Sequence, residues 1–138
     1  MLNELAKEIH KNAIEHGWWK EERSFGEIIA LCHSELSEAL EEYRNKKPTF
    51  YFSCKLEGTR DGIECIDPKN NNGKCYYFTR STGCCQNAKP EGIASELADC
   101  IIRILDYCGK ENIDIEEAIK IKHEYNKSRP YKHGGKRI

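Results

Sequence analysis

Apolar residues recur three and four positions apart in four separate stretches of the chain, which is the spacing of one face of an α-helix. The clearest stretch covers residues 24–44, where Ser24 and Glu27 form the capping box that begins a helix. Its apolar positions predict one buried stripe, made of Ile28, Ile29, Cys32, Leu36, Ala39, Leu40 and Tyr43.

Two other helices have boundaries set by glycine and proline. A first helix over residues 3–16 ends at Gly17, which is suited to the left-handed backbone of a helix C-terminus. A helix over residues 91–109, apolar around nearly its whole circumference, begins after Pro90. Gly109 is its expected C-terminal cap.

A last helix completes the pattern. It begins at Asp114, where Asp114 and Glu117 form a capping pattern, and Pro130 stops it. The chain therefore predicts an all-α fold with a four-helix core. We expect a single domain over residues 1–138, with an insertion at residues 46–90 between the second and third helices.

Residues 46–90 lack helical periodicity and are rich in glycine, asparagine and lysine. Aromatic runs at residues 50–52 and 76–78, with a turn signal at residues 70–73, are typical of a short β-hairpin in an otherwise irregular segment. The insertion also holds five cysteines: Cys54, Cys65, Cys75, Cys84 and Cys85. Their spacing lacks paired CxxC motifs, so zinc ligands and free thiols both stay open as interpretations.

The composition excludes several partners. The net charge of -1 provides no overall attraction to nucleic acid or to an anionic membrane. No run approaches the roughly 18 apolar residues of a membrane span, and the N-terminal residues do not resemble a signal or transit peptide. We therefore expect a cytoplasmic protein without membrane or nucleic-acid partners, whose cysteines bind metal or stay reduced.

Acidic residues collect on the second helix without basic neighbours. Glu35, Glu38 and Glu42 follow the edge of the apolar stripe, and the positions three and four residues from Glu38 hold no lysine or arginine. Like charges at this spacing each destabilise an isolated helix by roughly 0.2–0.5 kcal/mol. A solvated acidic face and a cation-binding face both account for the pattern.

The third helix carries a single polar stripe. Glu96, Asp99, Arg103 and Asp106 are spaced three, four and three residues apart. Arg103 is within reach of both aspartates, so an ion-pair ladder accounts for three of them. Glu96 has no such partner on its own helix, and a buried carboxylate without a partner is costly.

Two carboxylate pairs on core-facing helices, Glu35/Glu38 and Glu96/Asp99, predict a binding site for Mg²⁺ or Mn²⁺. All-oxygen ligation selects such hard cations over zinc. Helical di-iron sites need a Glu-x-x-His motif, which this chain lacks.

Two further features suit a phosphorylated ligand. Lys122, Asn126 and Arg129 lie four and three residues apart on the last helix and at its end, where they either bind phosphate oxygens or form an ordinary solvated face. Trp18 and Trp19, between the first two helices, either anchor their loop or stack on a nucleobase. Magnesium beside phosphate-binding residues indicates chemistry on a polyphosphate.

Three segments, ELSEALEE, ELADCIIRILD and KHEYNKSRPYKHGGK, occur in an order that resembles the MazG-like all-α nucleoside triphosphate pyrophosphohydrolases. The resemblance covers residues 24–44 and 90–136. It implies a homodimer or homotetramer that uses Mg²⁺ to hydrolyse a (d)NTP to the monophosphate and pyrophosphate. Two departures stand out: Ile93 occupies a position where the family often has lysine, and the insertion replaces a short loop.

The resemblance also implies roles for the candidate residues. The implied metal ligands are Glu35, Glu38, Glu96 and Asp99. The implied phosphate contacts are Lys122, Asn126 and Arg129. One of the first two glutamates also takes the proton from the attacking water. We assign Arg103 and Asp106 to orienting the metal ligands without contacting the metal themselves. We assign Trp18 or Trp19 to contacting the base.

Two other classes of function stay open. A nucleotide sensor would keep the fold and the metal site without turnover. A binding module would use the helices as a scaffold and a zinc-stabilised insertion as its surface for protein or nucleic acid. The contacts of such a module would come from Lys55, Arg60, Lys74, Tyr76, Tyr77 and Arg80.

Overall fold

A computed structural model describes residues 1–55, 74–77 and 89–130 of the chain. These residues are mostly helical and form four helices: α1 (Leu2–Glu15), α2 (Phe25–Arg44), α3 (Ile93–Lys110) and α4 (Ile115–Lys127). They also form three strands: β1 (Tyr51–Lys55), β2 (Lys74–Tyr77) and β3 (Lys89–Glu91). The predicted set of four helices is confirmed. The predicted turn at residues 70–73, together with Cys65, Cys84 and Cys85, lies outside the described residues.

The predicted helix ends are held by local hydrogen bonds. The backbone N and the Oγ of Ser24 donate to Oε2 of Glu27 at 2.7 and 2.8 Å, and the backbone N of Glu27 donates to Ser24 Oγ at 3.3 Å. Asp114 Oδ1 accepts from the backbone N of Glu117 at 3.0 Å. Gly17 has a φ of 79°, in the left-handed region that favours glycine. These three predictions are confirmed.

Gly109 does not cap α3, and that prediction was wrong. The helix continues through Lys110, and the residue with left-handed backbone is Asn112, whose φ is 52°. Glycine is needed at 109 for a different reason. A Cβ at this position would lie 2.4 Å from the carbonyl oxygen of Ala6, so the backbone of α1 approaches α3 too closely for any side chain.

Replacing Gly109 with alanine is expected to lower the free energy of unfolding by about 1–3 kcal/mol, the usual cost of overpacking, although alanine is the better helix former. The matched control is Gly26→Ala, because a Cβ at Gly26 meets only Ser24 Oγ, at 3.9 Å. Urea unfolding of both variants measures the difference. Equal stability of the two would contradict the close approach of α1.

The three strands form one antiparallel sheet in the order β2-β1-β3. Phe52 of β1 pairs with Tyr77 of β2 on one side and with Pro90 of β3 on the other. The strand β3 was not predicted from the sequence, since it has only three residues, one of them proline. Proline is tolerated there because β3 is an edge strand.

The chain divides into two compact units. The terminal unit contains the residues up to Ile28 and from Ile102 onward, and its buried core comprises Ala6, Leu105 and Cys108. The central unit, Ile29–Ile101, contains most of α2, the three strands and the first half of α3.

Within the terminal unit, α1 and α4 cap one another at their N-termini. Asn3 Nδ2 donates to Asp114 Oδ1 at 2.8 Å, and Asn3 Oδ1 accepts from the backbone N of Glu116 at 3.2 Å. In return, Glu116 Oε2 accepts from the backbone N of Leu2 at 3.0 Å. These bonds satisfy amide groups that each helix leaves unpaired at its start.

The single buried stripe predicted for α2 is only partly right. Ile28, Cys32 and Ala39 are buried, and Glu35 is buried in line with them. The remaining apolar residues of the stripe are exposed: Ile29, Leu36, Leu40 and Tyr43. The apolar circumference of α3 is likewise exposed at Leu97, Ile101, Ile102 and Ile104. The apolar arc of each helix is therefore wider than the surface that the described part of the chain covers.

Candidate metal centre

Three carboxylates of the central unit converge on one point. Glu35 and Glu38, three residues apart on one face of α2, meet Glu96 from the first turn of α3. One carboxylate oxygen of each lies within 4.8 Å of the others. Glu35 and Glu96 are buried, with 6% and 8% of their surfaces exposed, whereas Glu38 is exposed. The group is therefore buried at Glu35 and Glu96 and accessible to solvent at Glu38.

The charges of this group are poorly compensated at Glu96. Burial raises the pKa of Glu96 above its ordinary value, and the neighbouring carboxylates of Glu38, Asp99 and Glu35 raise it further. Lys89 opposes these effects. A carboxylate whose ionised form is disfavoured in this way gains from a proton or from a bound cation.

The raised pKa of Glu96 predicts how pH affects stability. The folded protein without metal binds a proton at Glu96 at a pH where the unfolded chain has released it, so stability should rise on acidification from neutral pH to about pH 5, towards the ordinary pKa of a glutamate. Glu96→Gln should remove this contribution. Urea unfolding at both pH values measures it, and an unchanged pH dependence in the variant would contradict the assignment.

Asp99, the fourth predicted ligand, is not part of the converging group in the structure. It is exposed, and its charge acts on Glu96 three residues before it. The structure thus brings carboxylate oxygens of three of the four predicted ligands within 4.8 Å of one another. The charge of the fourth, Asp99, raises the pKa of Glu96.

A second polar group of the central unit has no signal in the sequence. The side chain of Tyr51 is almost completely buried, and its hydroxyl lies 3.0 Å from Glu42 Oε2 and 3.1 Å from Glu91 Oε2. Glu42 belonged to the acidic set on α2, but Tyr51 was interpreted only as part of an aromatic strand. No local pattern signals a contact between residues 40 positions apart.

The contacts of Trp19 lie in the terminal unit. Its Nε1 donates to both carboxylate oxygens of Asp106, at 3.0 and 3.1 Å, and His10 Nδ1 lies 2.7 Å from Asp106 Oδ1. The Lys110 ammonium lies 4.9 Å from the centre of the Trp19 ring. These contacts support the interpretation that Trp19 anchors its loop, and they show what the side chain of Asp106 binds.

Trp18 presents a different surface. Half of it is exposed, and the guanidinium groups of Arg23 and Arg103 lie 5.6 and 5.8 Å from its ring centre. The guanidinium groups attract anionic ligands such as phosphates, and the exposed ring beside them offers a surface on which a base can stack. Of the two tryptophans, Trp18 is therefore the better candidate for contact with a nucleobase.

The candidate phosphate contacts are all exposed, on α4 or just beyond its end. Lys122 Nζ lies 5.0 Å from the ring centre of Tyr125, and the Arg129 guanidinium lies 6.0 Å from the same ring. Asn126 is exposed between them. Tyr125, whose ring lies near both cations, was not predicted as a site residue from the sequence.

The candidate zinc ligands are described only in part. Cys54 of β1 and Cys75 of β2 are paired residues in the antiparallel register. Because the other three cysteines lie outside the described residues, zinc binding by the insertion stays a prediction.

No protein-family model, curated protein or solved structure was found that matches the chain. Among the described residues, every helix is too short or too polar to span a lipid bilayer. The MazG-like resemblance therefore stays a prediction that rests on three sequence segments.

Proposed function

We propose that the protein is a Mg²⁺-dependent nucleoside triphosphate pyrophosphohydrolase, which converts a (d)NTP to the (d)NMP and pyrophosphate. The observation that carries the proposal is the convergence of Glu35, Glu38 and Glu96 within 4.8 Å on two helices. Two of these three carboxylates are buried, which an ordinary solvated acidic face does not explain.

The donor set fits a magnesium or manganese ion. All three groups offer carboxylate oxygens, the ligands that these cations prefer, and no cysteine or histidine joins the described group. The raised pKa of Glu96 points the same way, since a cation would relieve the repulsion that disfavours its ionised form. Mn²⁺ should substitute for Mg²⁺.

When bound, the metal neutralises phosphate oxygens and makes a water molecule more acidic. Glu35, Glu38 and Glu96 hold it, and Asp99 adds negative charge beside them. Glu38 is exposed, so it is the better placed of the two candidate bases to accept the proton from the attacking water. Water adds to the α-phosphorus, the bond to the α–β bridging oxygen breaks, and pyrophosphate leaves.

The remaining roles follow from side-chain chemistry. Lys122, Asn126 and Arg129 supply donors for phosphate oxygens, and their exposure leaves them accessible to a ligand. Trp18 offers an exposed ring for the base. The contacts of Asp106 with Trp19 and His10 favour a role in fixing that loop over its expected role in orienting metal ligands.

We also propose that the protein is a homodimer or homotetramer. Among the described residues of the central unit, seven large apolar side chains are at least 40% exposed: Ile29, Leu36, Leu40, Tyr43, Phe50, Leu97 and Ile101. Four of them follow one face of α2 at spacings of seven, four and three residues. An exposed apolar face of this kind is typical of a protein–protein interface.

The experiment that tests the activity is incubation with a panel of canonical and modified (d)NTPs and Mg²⁺, followed by identification of the products. Monophosphate and pyrophosphate support the proposed enzyme. Tight nucleotide binding without products would instead indicate a nucleotide sensor. Neither binding nor turnover, with zinc present in the purified protein, would favour the binding module.

A further inference from the structure

The Tyr51 hydroxyl connects two parts of the central unit. Only 2% of Tyr51 is exposed, and its single hydroxyl proton is shared between Glu42 on α2 and Glu91 on β3. Burial and the two carboxylates raise the pKa of Tyr51, so the hydroxyl remains a donor throughout the physiological pH range. Hydrogen bonds to carboxylates are stronger than those between neutral groups.

The two acceptors lie close in sequence to the candidate metal ligands, Glu42 to those of α2 and Glu91 to that of α3. Glu42 lies four residues after Glu38, one turn further along α2. Glu91 lies two residues before α3, which supplies Glu96 from its first turn. Tyr51 therefore ties the end of one ligand-bearing helix to the start of the other.

Close backbone contacts also join the start of α3 to the segment that follows α2. Gly92 has a φ of 97°, and a Cβ there would lie 2.7 Å from the carbonyl oxygens of both Pro48 and Thr49. The backbone N of Ala94 donates to the Thr49 carbonyl oxygen at 2.9 Å. The start of α3 therefore packs closely against residues 48–49, which lie just before Tyr51 in the segment that follows α2.

We propose that Tyr51 is a positioning residue for the metal centre: its hydroxyl holds α2 and α3 at the spacing at which Glu35, Glu38 and Glu96 converge. This inference rests on the proposed function of that site. Tyr51 does not touch the metal or the substrate. It acts through Glu42 and Glu91, in the way that hydrogen bonds behind metal ligands fix their orientation.

The test is Mn²⁺ binding by the full-length Tyr51→Phe variant, which loses the hydroxyl and keeps the ring. We expect the dissociation constant to rise roughly 10- to 100-fold, the usual effect of removing a hydrogen bond behind metal ligands, while the helical circular dichroism is unchanged. Isothermal titration calorimetry measures the binding. The matched control is Ser37→Ala, which also removes a hydroxyl from the central unit: Ser37 is exposed, and its hydroxyl donates to the His33 carbonyl oxygen of the same helix.

A second pair of variants decides the question if Tyr51→Phe does not fold. Glu91→Gln keeps an oxygen that accepts from the hydroxyl, whereas Glu91→Ala removes it. We expect near-normal Mn²⁺ affinity for the glutamine variant and weakened affinity for the alanine variant. A purely structural role would change the melting temperature without changing the Mn²⁺ affinity of the folded protein.

The outcomes separate this inference from the proposed function. If the unsubstituted protein binds Mn²⁺ and folded Tyr51→Phe binds it within twofold as tightly, the positioning role is wrong and the metal centre stands. Equal affinity of the two Glu91 variants overturns the positioning role in the same way. If the unsubstituted protein binds no Mn²⁺, the metal centre and the positioning role both fall.

Discussion

Glu38→Gln is expected to lower (d)NTP turnover roughly 100- to 10,000-fold, the range associated with loss of a general base. The change removes one of the three converging charges and the only exposed carboxylate of that group. It keeps the size of the side chain. Because Glu38 contributes to the raised pKa of Glu96, the metal-free variant should be as stable as the unsubstituted protein or slightly more stable.

The matched control for this prediction is Glu41→Gln. Glu41 is an exposed glutamate on the same helix, and it accepts a hydrogen bond from Asn45 at 3.1 Å, outside the converging group. Turnover of the control should stay within about twofold of the original rate, since surface substitutions away from functional features have small effects. Turnover of Glu38→Gln within tenfold of the unsubstituted enzyme would contradict its role in the site.

Leu40→Asp is expected to convert the assembly into monomers. Leu40 is 55% exposed on the apolar face of α2, and a charge buried in an interface there would be strongly disfavoured. The unsubstituted protein should sediment at two or four times the chain mass of 16.0 kDa, and the variant at the chain mass. Sedimentation equilibrium distinguishes these masses.

Ser37→Asp provides the control for added charge on α2. Ser37 is exposed, and its hydroxyl donates to the carbonyl oxygen of His33 on the same helix. The control should keep the assembled mass. A monomeric unsubstituted protein would refute the proposed interface, as would an assembly that Leu40→Asp leaves intact.

Local chemistry explains what could be predicted of the fold. The Ser24/Glu27 box and the Asp114/Glu117 cap form between residues three positions apart, so their signals are contained in the sequence. The left-handed backbone at Gly17 is equally local. The starts of α2 and α4 follow from such signals, whereas α3 begins at Ile93 and not directly after Pro90, which belongs to β3.

Contacts between distant residues explain what could not. Gly109 looks like a helix terminator, and only the position of α1 shows that it is needed for close approach to Ala6. The extent of burial on α2 was also overpredicted, because periodicity defines an apolar arc but does not tell which part a single chain covers. Leu36 and Leu40 lie on the uncovered part.

The candidate site also has residues that local sequence patterns predict and residues that depend on contacts between distant positions. The three-residue spacing of Glu35 and Glu38, together with the unpartnered Glu96, was enough to select all three members of the converging group. Tyr51 was not predictable, because its two acceptors lie nine and 40 residues away along the chain. Sequence patterns thus suggested the groups that would hold a metal, and the fold was needed to show what holds those groups.

The central claim is that these carboxylates support attack of water on the α-phosphorus of a nucleoside triphosphate. Turnover of a hydrolysed (d)NTP in ¹⁸O-labelled water with Mg²⁺, followed by mass spectrometry of the products, tests it most directly. We predict one ¹⁸O atom in the monophosphate, none in the pyrophosphate, and no turnover without a divalent cation. Release of a diphosphate with labelled inorganic phosphate, or no hydrolysis of any (d)NTP, would contradict the claim.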